Sequence, residues 1–261
     1  MEQKTNRIFY NVAMILIVLL VVVQIVDLAP NNILLSTLLQ DTLTRLFAGG
    51  IFVMMLYSME HRVFHLKNKR VIYSLFILVP GLIIAINNFP ISAFLNGRTD
   101  FTEPLYYVGL FLIECFTVGF FEEILFRYVV LVLLLQRLPN KQKGTLYAIV
   151  LSSLVFGLIH GANLLYGAGL GNTILQMGYS FLMGMLWAVV FLRTRNIIYP
   201  IILHSLYNFF GQLMFRFGTV ELRYDVATII VTTVLALFAI YYYFNEFKKI
   251  KMRDIKDLTL R

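Results

Sequence analysis

Residues 105–135 read LYYVGLFLIECFTVGFFEEILFRYVVLVLLL, an apolar run that nonetheless holds Glu114, Glu122, Glu123 and Arg127 in its interior. A helix needs roughly 20 apolar residues to cross the hydrocarbon of a bilayer, and this run exceeds that. A charged side chain near the bilayer centre costs about 2.5–3.5 kcal/mol on insertion scales, so each one is a functional hypothesis by default. The fold and the site are both read from this stretch.

Runs of the same kind recur near 8–28, 39–57, 71–88, 105–135, 145–160, 174–192, 197–215 and 226–243. Across 261 residues the chain is 59% hydrophobic and 14% charged, with a mean hydropathy of +0.79. A soluble domain carries about 25% charged residues, so this chain lacks the means to cover itself with a solvated surface. Lipid offers backbone groups no partner, which leaves helices or a closed barrel. The runs are too long for barrel strands and show no alternation of period two. The sequence therefore predicts an all-α, polytopic integral membrane protein of about eight transmembrane helices, with 1–261 forming a single transmembrane domain. The first run follows Lys4 and Arg7 but outlasts the apolar part of a secretory signal, and no A-x-A-like site follows, so it reads as a retained helix. The single Cys115 excludes an intramolecular disulfide.

The net charge of +8 sits in the loops, which orients a membrane protein and gives no reason to invoke nucleic acid. Lys4 and Arg7, the group Arg62, Lys67, Lys69 and Arg70, the group Arg137, Lys141 and Lys143, the pair Arg193 and Arg195, and the tail from Lys248 to Arg261 all fall on one side. Arg98, Arg216 and Arg223 fall on the other, a split of seventeen to three, with Arg45 and Arg127 left inside spans. The positive-inside rule puts both termini in the cytoplasm. Residues 244–261 form a basic cytoplasmic tail suited to anionic headgroups of the membrane lipid. Met59–Arg70 mixes basic and apolar residues as a helix lying in the cytoplasmic interface would. Gly161–Asn172, with four glycines and no charge, reads as a flexible or re-entrant outer loop. Short loops and the Lys, Ile and Asn usage point to a bacterial plasma membrane.

Three spans hold almost all the strongly polar groups: Glu114, Glu122, Glu123 and Arg127 in the fourth, Phe156 and His160 closing the fifth, and His204 and Asn208 in the seventh. Glu123 and Arg127 are four apart with the acid first, the better order for an ion pair on one helix face. Glu122 lies about 100° round from Glu123 and faces elsewhere. Gly119, one turn earlier, permits a close helix approach. His204 and Asn208 share a face. At 1.5 Å per residue, Glu122, His160, His204 and Asn208 all fall about 12–22 Å from the cytoplasmic ends of their spans, a depth compatible with one site. A carboxylate in an apolar pocket can take a proton from water, a histidine can hold that water or donate to an oxyanion, and an amide can do the latter.

The motifs E-E-x-x-x-R (Glu122, Glu123, Arg127), F-x-x-x-H (Phe156, His160) and H-x-x-x-N (His204, Asn208), in that order, resemble those of the CPBP intramembrane proteases. That family includes the type II CAAX prenyl endopeptidases and bacteriocin-immunity Abi proteins. The matched core runs over 120–208. The resemblance implies hydrolysis of a peptide bond in a membrane-anchored or lipidated substrate. It implies that Glu122 with His160 activates water, that His204 and Asn208 stabilise the oxyanion, and that Glu123 and Arg127 organise the site.

Other readings of the same residues stay open. Glu123–Arg127 suits a purely structural pair, a transporter also places acids and histidines at the midplane, and a non-catalytic partner protein could keep the fold to hold a peptide or lipid. Glu122, His160 and His204 could form a His₂Glu zinc site. There is no H-E-x-x-H, and a carboxylate-activated water needs no cofactor, so the metal-free reading is the expectation. Glu114 and Cys115 lie outside the motifs and receive no role.

The charge split makes a direct prediction. A topology reporter fused after Arg195 reads as cytoplasmic, and one active only outside the membrane overturns the eight-span layout.

Overall fold

Among the residues described by the computed structural model, 2–59, 63–64 and 71–259, long helices cover each of the eight apolar runs. They are α1 (Glu2–Ile25), α2 (Ile33–Ser58) and α3 (Val71–Asn87), then a rod over the fourth run, then α7 (Gln142–Ile159), α8 (Leu170–Thr194), α9 (Ile198–Phe217) and α10 (Val226–Lys248). The rod begins with a 3₁₀ turn at Leu105–Tyr107, continues as α5 (Val108–Glu123), widens into a π-helix over Ile124–Leu131 and closes as α6 (Val132–Arg137). Two short helices, α4 (Ile91–Leu95) and α11 (Met252–Thr259), and two three-residue strands, β1 (Thr99–Phe101) and β2 (Gly218–Val220), complete the chain. The protein is an all-α polytopic membrane protein with a trace of sheet that the sequence did not announce. The expected interfacial helix over 59–70 lies largely outside the described residues, as do the side chains of Lys4 and Arg7.

Among the described residues, three stretches qualify as membrane spans by length and apolarity alone: Gln142–Tyr166, Leu170–Thr194 and Val226–Lys248. Tyr10–Ile25 and Val71–Asn87 are apolar but shorter, and the remaining runs fall short for a physical reason. α2 carries Asp41 and Arg45, α9 carries His204, Asn208 and Gln212, and α5 gives way to the π segment. Polar residues turned inward lower a helix's hydropathy without exposing charge to lipid. On the perimeter, α10 presents Val231, Val234, Leu237 and Tyr241 outward, the apolar surface a bilayer requires.

α8 is the central post. From Leu186 to Leu192 every side chain is buried, so that part of the helix is surrounded on all sides. Around it pack Ile124, Leu131, Ile201, Leu203 and Tyr243, from the rod, α9 and α10. At the basic end, Glu246 of α10 takes Arg193 Nε at 2.9 Å, Lys249 Nζ at 2.6 Å and the Tyr73 hydroxyl at 3.0 Å, joining α3, α8 and α10. α11 folds back there with Ile255 and Leu258 buried. At the opposite end β1 pairs antiparallel with β2, Thr99 opposite Val220. Arg98 meets Asp225 at 2.5 Å, and Asp225 also accepts from Ser92 and caps α10 through Thr228 N–H. The Ser92 and Arg98 hydrogen bonds hold its carboxyl below the usual carboxylate range.

The expected outer loop at 161–172 is shorter than its glycines suggest. A 3₁₀ helix, His160–Tyr166, prolongs α7, Gly167 turns the chain at φ 85°, and α8 begins at Leu170. Asn163 Nδ2 donates to Gln176 Oε1 at 2.8 Å and ties that turn to α8. Local hydrogen bonding consumes the residues that looked free in sequence.

Gly119 sets the distance between α5 and α9, as its small size predicts. A Cβ there would meet Ser205 Oγ at 2.5 Å, Ile201 O at 2.9 Å and Ser205 N at 3.2 Å. Two of those atoms belong to backbone and cannot rotate away. Gly119→Ala is expected to cost about 1–3 kcal/mol of stability, the usual cost of overpacking, read as a lower melting temperature in detergent. Adding Ser205→Ala removes only the hydroxyl and leaves most of the loss in place.

Candidate active site

The site grows from the junction of α5 with the π-helix. A π turn inside an α-helical rod is rare and concentrates at functional positions. Here it follows Glu123 directly and contains Arg127. Arg127 Nε donates to Glu123 Oε2 at 2.8 Å and Nη2 to Oε1 at 3.1 Å, a two-point ion pair with both side chains wholly buried. Such forked geometry fixes direction as well as charge. Arg127 Nη1 has no hydrogen-bond partner among the described residues. Its guanidinium carbon instead lies 4.9 Å from the centre of the Phe156 ring, a cation–π contact that offsets part of that deficit.

Glu123 Oε1 also accepts from His204 Nδ1 at 2.9 Å, so the pair spans two helices. This assigns the proton of Nδ1 and turns Nε2 toward Glu122, whose Oε2 stands 3.6 Å away. The adjacent acids therefore occupy opposite environments. Glu123 is sealed, whereas the Glu122 side chain is 21% exposed and lines a cavity. His160 Nδ1 donates to the carbonyl of Phe156 at 2.8 Å, which frees its Nε2 as an acceptor. Phe156 stands between the histidines, edge-on to His160 at 5.1 Å and to His204 at 5.8 Å between ring centres. The phenyl ring thus touches both imidazoles and the guanidinium. The sequence offered it only as a motif member.

Glu122, His160, His204 and Asn208 all border one cavity of about 260 Å³. On α9, His204, Asn208, Gln212 and Arg216 recur every fourth residue and all four line it, a polar stripe down one helix face. Sequence reasoning stopped this stripe at Asn208. The same spacing, carried two steps further, gives its other half.

The restriction of strongly polar groups to three spans needs correcting. A second charged cluster on the cavity wall joins α2, α5 and α9. Arg45 pairs with Asp41 at 3.2 Å, and Arg216 reaches Glu114 Oε1 at 3.3 Å and Asp41 at 3.5 Å. Arg216, expected in an outer loop, lies in the last turn of α9. Arg45, an interruption in the second apolar run, has its acids within reach. Glu114 thereby acquires a setting, and Cys115 lines the cavity beside it as a buried thiol. No sequence spacing relates α2 to α5, so this cluster required the fold.

The zinc set of Glu122, His160 and His204 can be compared with the geometry. Glu122 Oε2 and His204 Nε2 stand 3.6 Å apart. Among the described residues, however, no three His, Cys, Asp or Glu side chains are grouped as a metal ion requires.

Residues 104–210 match the family model described as type II CAAX prenyl endopeptidase Rce1-like. The matched stretch contains Glu122, Glu123, Arg127, Phe156, His160, His204 and Asn208. No curated protein and no solved structure matches the chain.

Glu123 and Arg127 make a sharp prediction. Glu123→Gln leaves a buried guanidinium without its counter-charge and gives His204 Nδ1 a neutral amide oxygen in place of a carboxylate, and breaking such a pair costs about 3–5 kcal/mol. Expression and melting temperature should both fall. The double change Glu123→Gln with Arg127→Met leaves no lone charge and should recover part of the stability, measured by thermal unfolding in nanodiscs.

Proposed function

We propose that this protein is an intramembrane endopeptidase in which Glu122 activates water to hydrolyse a peptide bond of a membrane-anchored or lipidated polypeptide. The family match over 104–210 supports protease activity in general. The observation that carries the finer reading is the division between the two adjacent acids. Glu123 is held by Arg127 and His204, while Glu122 meets the cavity.

In this mechanism Glu122 takes a proton from water held between its carboxylate and His160 Nε2. The hydroxide attacks the scissile carbonyl carbon, and the carbonyl oxygen gains negative charge. The Asn208 side-chain amide donates to that oxygen. His204 serves beside it when Nε2 carries a proton, and the Glu123 carboxylate at 2.9 Å balances the resulting imidazolium. Collapse breaks the carbon–nitrogen bond, and Glu122 returns its proton to the leaving amine. Glu123 and Arg127 position His204 and touch no reacting atom. No step asks for a metal. In this reading the protein works in a bacterial plasma membrane, and the charge split supports placing both termini in the cytoplasm.

Glu122→Gln keeps shape and hydrogen bonding but cannot accept the proton. It should leave the melting temperature unchanged and lower kcat by about 10²–10⁴, the usual worth of a general base. Full activity in that variant would remove the hydrolase reading and leave a binding protein. Activity of the wild-type protein should survive exhaustive chelation, and recovery only on adding zinc back would reverse the metal-free assignment.

A further inference from the structure

The cavity opens at one end of the bundle and is closed at the other. On α9 the stripe goes from buried His204 through half-buried Asn208 to exposed Gln212. Asn163 and Gln176, at the turn between α7 and α8, border the cavity at the same end. In the other direction lie Ile124 and Leu131 beyond Glu123, Phe191 beyond Trp187, and Ile201 before His204. All are 1% exposed or less and belong to one continuous apolar core. That closed end is where α6 finishes and where α7 and α9 begin, the end that carries the basic loops.

We infer that the site takes its substrate from the extracytoplasmic side: an extended, membrane-anchored polypeptide segment that enters past Asn163 and Gln212 and runs down the α9 stripe. This deepens the endopeptidase reading and rests on it and on the charge-derived orientation. The chemistry of the wall suits such a guest. Asn163 Nδ2 is engaged with Gln176 Oε1, which leaves Asn163 Oδ1 and Gln176 Nε2 as an acceptor and a donor for a peptide main chain. Asn208 and Gln212, one helical turn apart, offer two more amides. A main chain desolvated in the membrane needs each of its groups paired, and a row of side-chain amides supplies both kinds of partner. Phe111, Val118 and Met183 supply apolar wall for side chains between them.

The test uses the full-length protein in intact cells. In a Cys115→Ala background, single cysteines are placed at Gln212 and, as a second position, at Asn163. A third, at exposed Lys141, marks the basic end. A charged, membrane-impermeant thiol reagent is added before and after permeabilisation. Gln212→Cys and Asn163→Cys are expected to label in intact cells and Lys141→Cys only after permeabilisation. Labelling of Gln212→Cys should also abolish cleavage. If Lys141→Cys labels as expected while both cavity cysteines stay unlabelled in intact cells, entry from outside is overturned. Labelling of Lys141→Cys in intact cells overturns the orientation itself. The labelling readout does not depend on activity, so its failure is distinct from that of the hydrolase reading, which Glu122→Gln decides.

Discussion

Everything at the site hangs on one buried charge pair, Glu123 with Arg127. Two ions with no solvent contact are costly to desolvate, and their mutual attraction offsets that only when geometry is good and remaining groups find partners. Here the fork of two hydrogen bonds satisfies the acid along its own helix, His204 donates across from α9, and the Phe156 ring faces the guanidinium from α7. Three helices are thereby held in register by a single cluster. The pair alone is weak evidence for stability. Its stronger consequence is that His204 has one ring nitrogen committed and the other directed at Glu122.

The packing that permits this is as demanding as the charges. α9 reaches Glu123 only because α5 carries no side chain at Gly119. α7 and α8 meet likewise at Gly184, where a Cβ would stand 2.9 Å from Ser153 Cβ and 3.2 Å from Phe156 Cδ1. Phe156 is thus fixed by backbone proximity before it contacts either imidazole. In a bilayer, close approach of this kind replaces the hydrophobic drive that water would supply.

Spans and motif residues were legible in the sequence because both are local signals. Hydropathy needs only the run itself, and E-E-x-x-x-R needs only the rise and turn of one helix. What crosses between helices was not legible. The role of Phe156 as common neighbour of two histidines and an arginine depends on distances no spacing encodes. Arg45 read as a flaw in its span because Glu114, the acid it shares with Arg216, lies on another helix, although Asp41 stands four residues before it. The π-helix gave no signal either, since IleLeuPheArgTyrValValLeu is as apolar as any α-helical stretch nearby. One missed feature was within reach: the His204–Asn208 spacing repeats to Gln212 and Arg216.

A hydrolase inside a bilayer must admit water without opening a leak, and the asymmetry of this bundle answers both demands. Hydrophilic side chains continue from Glu122 along α9 toward the exposed end, so water has hydrogen-bonding partners along its path. Beyond His204 that path stops against Trp187, Phe191 and Ile201, which are buried and offer no continuing row of partners. A chain of water cannot form where the wall gives it nothing to bond. The same plug keeps the Glu123–Arg127 pair dry, which strengthens its electrostatic hold on His204. Wet access and a dry anchor are thus two faces of one arrangement, with Glu122 and Glu123 on either side of the boundary.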